Sequence, residues 1–85
     1  MPTGDIDIEA AILALLERRG PGKSICPSEV ARELAPEHWR TLMPSVRASA
    51  GRLATCGTIT VTQRERVLSP DEPWKGAIRL RRARA

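Results

Sequence analysis

Arg47 and Arg52 stand among Ser45, Ser49 and Thr55 in the stretch PSVRASAGRLATCG. A guanidinium carries a fixed charge and a planar fork of donors that fits a phosphate or the edge of a guanine. Hydroxyls accept or donate to many partners and discriminate weakly. No acid occurs between Arg40 and Arg64, so the span contains no carboxylate to compete for these charges. Arg64, Arg66, Lys75 and Arg79 follow in the next segment. The chemistry on offer is contact with a polyanion.

Other chemistries lack their residues. Cys26, Cys56 and His38 are the only soft or nitrogen metal ligands of their kind, too few for a zinc site or a disulfide framework. Both cysteines read as unbridged structural thiols. The single histidine has no orienting partner in sequence, and no pair of carboxylates sits in an apolar setting. Gly22-Lys23-Ser24 follows a helical segment and lacks the earlier glycine of a phosphate loop. No enzyme, metal or cofactor is expected.

Charge is uneven along the 85 residues, which carry a net +4. Residues 1–39 hold four Lys/Arg against seven Asp/Glu, a net of −3; residues 40–85 hold ten against three, a net of +7. Twelve of the fourteen cations are arginine, which favours bidentate phosphate contacts over point charges. No apolar run approaches the ~20 residues of a membrane span, and the acidic start lacks a signal-peptide layout. A cytoplasmic protein with reduced thiols is expected.

The elements that must position these groups can be read in order. DIDIEAAILALLERRG places Ile8, Ile12, Leu15 and Leu16 on one helical stripe, capped by Asp5 or Asp7 and ended by Gly20-Pro21. A short strand is expected at Lys23–Ile25. CPSEVARELA predicts a helix with Cys26 as N-cap, Pro27 at its first position and Glu29 reaching back to the Cys26 N–H. Pro36 stops it.

EHWRTLM reads as a short connecting turn or helix, with Trp39 as a core plug and His38 at the surface or in a cap. Pro44 is expected to open a third helix with Val46, Ala50, Leu53 and Ala54 inward and Ser45, Arg47, Ser49, Arg52 and Thr55 outward. Gly51 inside it marks either a close approach or a tolerated surface glycine. TITVTQ and GAIRLRR alternate as strands, the latter with Ile78 and Leu80 in and Arg79 and Arg81 out. RERVLSPDEPWK between them is expected to be one long loop. Residues 1–4 and 82–85 are expected to fray around a single domain spanning 1–85.

Helix, short strand, helix, helix, strand, loop, strand is the order of a winged helix-turn-helix, an α+β fold with three main helices and a small antiparallel sheet. The motifs ICPSEVAR, W-x-x-LMP-x-VR and G-x-I-x-VTQ, at Ile25–Arg32, Trp39–Arg47 and Gly57–Gln63, resemble a family of small bacterial proteins of unknown function with a winged-helix-like fold. The resemblance implies the fold and no activity. On that frame Ser45, Arg47, Ser49 and Arg52 would face a DNA groove, and Arg64, Arg66, Lys75 and Arg79 would face phosphates. Weakly specific duplex binding is one expectation. The other is a protein-interaction module with Trp74 as an exposed anchor near the wing.

Overall fold

A computed structural model describes residues 5–83, in the order α1 (Asp5–Arg19), β1 (Ser24–Ile25), α2 (Pro27–Leu34), α3 (Trp39–Thr55), β2 (Ile59–Gln63), β3 (Arg66–Leu68) and β4 (Arg79–Arg82). α1 and α3 pack on one face of a four-stranded antiparallel sheet of order β1-β4-β2-β3, and α2 packs against both of these helices.

The helical stripe of α1 is as the spacing predicts: Ile8, Ile12, Leu15 and Leu16 are buried. Gly20 ends the helix at φ +101, and its N–H bonds the Leu16 carbonyl at 3.0 Å. α2 begins at Pro27, with the Cys26 N–H donating to Glu29 Oε2 at 2.7 Å. That bond and the Arg19 guanidinium hold the Glu29 carboxyl below its ordinary range.

α3 departs from expectation at its start. Trp39 through Thr55 is one helix, so Pro44 lies inside it rather than opening it. The first four N–H groups of any helix lack an intrahelical partner. Pro44 is the sixth helical residue, past those four, so it removes the bond toward the Arg40 carbonyl and its ring crowds that carbonyl within the first two turns. At the other end Gly57, at φ +78, donates to the Ala54 carbonyl and Thr58 donates to the Leu53 carbonyl at 2.9 Å. Those two bonds are a Schellman cap. Cys56 is exposed there and Cys26 is half-buried; both thiols are free.

The sheet contributes Ile25, Ile59, Val61, Leu68 and Leu80, and the segment before β4 contributes Ile78, to the same core as Val30, Ala31, Val46, Ala50 and Leu53. Trp39 is not the central plug: it is half-buried and packs against the edge of this aliphatic core.

The segment expected as one loop contains a strand. Arg64 and Glu65 have φ of 50° and 69°, and they join β2 to β3 in a tight hairpin paired Gln63↔Arg66. Two central residues at positive φ match the right-handed twist of the strands they connect. Residues 69–78 then return, and β4 inserts between β1 and β2. The expected fraying of 82–85 does not hold for its first two residues. Arg82 pairs with Ile59, and the Ala83 N–H bonds the Thr58 carbonyl at 3.1 Å. Residues 1–4 and 84–85 lie outside the described residues. Among those described, no helix is long and apolar enough to cross a membrane.

Candidate nucleic-acid interface

The sheet has one face on the helices and one outward. Register places Ser24 and Thr60 opposite Arg81, and Thr62 opposite both Arg79 and Val67. These outward side chains, with Arg64, Glu65 and Arg82, line a groove of about 690 Å³. A second groove of about 630 Å³ lies between the hairpin and the returning loop, lined by Gln63, Arg64, Lys75, Gly76, Ala77 and Arg79. Gln63 closes its floor by donating to the Lys75 and Ala77 carbonyls.

The cations here are not equivalent. Arg79 donates through Nε to Ser24 Oγ and through Nη2 to the Ser24 carbonyl, both at 3.0 Å, and its charge also helps keep Glu29 ionised. Arg82 bonds Glu17 at 3.0 Å. Arg64, Arg66, Lys75 and Arg81 are exposed, and none pairs with an acid among the described residues. Arg64 projects from the hairpin tip, and Arg66 stands on the sheet face opposite Val67. Arg64 lines both grooves, Arg81 the first and Lys75 the second, whereas Arg66 lines neither; Glu65 is the one acid among the lining residues.

The helix side differs from expectation. Ser49 is fully buried, because it lies three residues after Val46 and so shares the inward stripe. Its Oγ accepts from Arg52 Nη2 at 2.8 Å, and Arg52 Nε bonds Glu9 at 3.2 Å, tying α3 to α1. Arg47 donates to the Trp74 carbonyl at 2.9 Å and to the Gly76 carbonyl at 2.8 Å. Ser45 remains exposed. Of the four residues expected at a groove, one is in the core and two hold other parts of the protein together.

Trp74 is half-buried, not a free anchor. Its indole N–H donates to the Ser69 carbonyl at 3.0 Å, and its ring faces Gly51 across a groove shared with Arg47 and Glu72. A Cβ on Gly51 would meet only that ring, at 3.7 Å, an ordinary contact, so Gly51 is a tolerated glycine rather than the mark of a close approach.

Sequence reasoning missed Arg81 as a site residue, although period-two alternation already put it beside Arg79. It also missed Arg32 and Arg40, whose guanidinium carbons each lie 4.4 Å from the Trp39 ring centroid. Arg32 is brought there by the α2–α3 turn, which leaves no mark in local periodicity.

Comparison with known families matches residues 5–83 to the family described as Protein of unknown function (DUF3253). The chain belongs to that family. The match covers every element from α1 to β4, so the family's domain and the described fold coincide. No curated protein matches the chain. The family carries no assigned activity, and the functional argument returns to the side chains.

Proposed function

We propose that this chain is a winged helix-turn-helix that binds duplex DNA through phosphate contacts at its β2–β3 hairpin and outer sheet face, with low sequence specificity. Return of β4 between β1 and β2, beside a helix pair opened at Pro27, supports the winged arrangement. The observation that carries the reading is the set of exposed cations Arg64, Lys75 and Arg81 along two adjoining grooves, with Arg66 beside the hairpin, none of them paired with an acid among the described residues. Unpaired arginines on a rigid sheet suit a backbone of fixed negative charge.

Low specificity follows from α3. Base reading needs side chains free to enter the major groove. Arg47 and Arg52 are engaged within the protein and Ser49 is buried, which leaves small hydroxyls such as Ser45. The hairpin tip adds support of another kind. Arg64 and Glu65 hold left-handed backbone that Asn or Gly would adopt at less cost. Backbone strain of this kind clusters at functional sites.

The protein-interaction reading retains one observation in its favour: Val67, on the edge strand β3, is 65% exposed. Titration of fluorescent mixed-sequence, G-rich and A/T-rich duplexes at low salt separates the two readings. The DNA-binding reading expects all three to bind within a few-fold of one another. No binding to any of them would leave the Val67 edge as the leading surface.

A further inference from the structure

We propose that Arg32, Trp39 and Arg40 form a second phosphate clamp, at the corner between α2 and α3. The proposal rests on the duplex-binding reading for its expected ligand but uses none of the hairpin or sheet residues. Each guanidinium carbon lies 4.4 Å from the Trp39 centroid, so the two are at most 8.8 Å apart, twice that distance. Stacking on an indole holds a guanidinium plane in place and leaves its N–H edge outward.

Both arginines are exposed, and neither pairs with a carboxylate among the described residues. Glu33, beside Arg32, is occupied by Arg18 at 2.6 and 2.8 Å. Glu37, two residues before Trp39, pairs with neither. By contrast Arg18, Arg19, Arg52 and Arg82 each have an acid. Two like charges are thus held on one ring without a counter-charge. A phosphate that accepts from both, through N–H···O contacts of about 2.7–2.9 Å on different oxygens, spans a gap of this size. A cationic ligand is excluded, because the indole face is already covered by cations.

The chain has two tryptophans, so Trp74→Phe leaves Trp39 as the sole indole reporter. This variant is titrated with pyrophosphate and, separately, with mixed-sequence duplex at low salt. Trp39 emission is expected to change saturably with both. Arg32→Ala/Arg40→Ala should abolish the pyrophosphate response and lower the slope of log affinity against log salt for the duplex by about 1.8, two contacts at about 0.9 each. Arg32→Lys/Arg40→Lys should restore the slope but not the full affinity, because lysine lacks the stacked fork.

Should Trp74→Phe fail to fold, the difference in emission between the wild type and the double alanine variant gives the same reading. Flat emission in both titrations, or a duplex slope untouched by the double alanine change, overturns the clamp and leaves the hairpin proposal standing. A pyrophosphate response without duplex binding keeps the phosphate clamp and removes the duplex as its source.

Discussion

Arg47 reaches from the middle of α3 to the Trp74 carbonyl, 2.9 Å away and 27 residues later in the chain. Its second nitrogen bonds the Gly76 carbonyl at 2.8 Å. One side chain thus pins the returning loop onto the helix just before β4 enters the sheet. The arginine best placed by sequence to read a base is a structural tether in the fold.

Arg47→Ala should therefore act first on stability. Losing two hydrogen bonds from a charged donor, both partly exposed, should cost about 1–2 kcal/mol. Urea unfolding measures the loss, and amide exchange should rise most at residues 73–78. Duplex affinity should fall less than it does for Arg64→Ala. A larger effect on binding than on stability would return Arg47 to the groove.

Gly51→Ala should stabilise the protein. A Cβ there would sit 3.7 Å from the Trp74 ring, an ordinary van der Waals contact. Removing a glycine from a helix interior gains about 0.5–1 kcal/mol. A rise in melting temperature supports this packing; a fall would mean that the Trp74 ring lies closer to α3 than described.

The hairpin offers an independent check. Glu65, at φ 69, occupies backbone that costs a non-glycine residue about 1–2 kcal/mol. Glycine relieves that strain but brings its own flexibility to the unfolded chain. Glu65→Gly should thus gain about 0.5–1 kcal/mol net. It also removes the one acid at the grooves, so duplex binding should tighten at low salt. Thermal melts and the same duplex titration test both.

Much of this arrangement was legible in the residues. The α1 stripe, the proline-opened α2, the glycine stops at Gly20 and Gly57 and the alternation of β2 and β4 are local signals, and local signals survive folding. What failed was tertiary. Nothing in RERVL announces a hairpin, because Arg-Glu is a poor turn pair that the neighbouring strands force into left-handed backbone. Ser49 reads as outward because its side chain is polar, yet its spacing from Val46 and Leu53 puts it inward. Trp39 reads as inward from its size and its apolar neighbours Leu42 and Met43, whereas Arg32 and Arg40 cover it from outside. The cationic segment was visible as composition. Which of its members are free and which are tethers depends on partners as distant in sequence as Glu9 and Ser24.

Glu29 sets an acid limit on stability. Its carboxyl is held below the ordinary value of 4.5, first by the Cys26 N–H and then by Arg19. The unfolded chain therefore takes up this proton before the folded one does. The contribution is complete above about pH 4.5 and is lost as pH falls through the lower folded value. Glu29→Gln should lower stability at neutral pH and flatten the acid limb as pH falls below the ordinary value of 4.5. Parallel curves for variant and wild type would show that Glu29 does not link protonation to folding.

The central claim is that the hairpin and outer sheet neutralise DNA phosphates, and its most direct measurement is the salt dependence of duplex affinity. Each phosphate contact contributes about 0.9 to the slope of log affinity against log salt. Replacing Arg64, Arg66 and Arg81 together by alanine should flatten that slope by about 2.7 for every duplex sequence alike, with the melting temperature little changed. An unchanged slope in the triple variant would contradict the account.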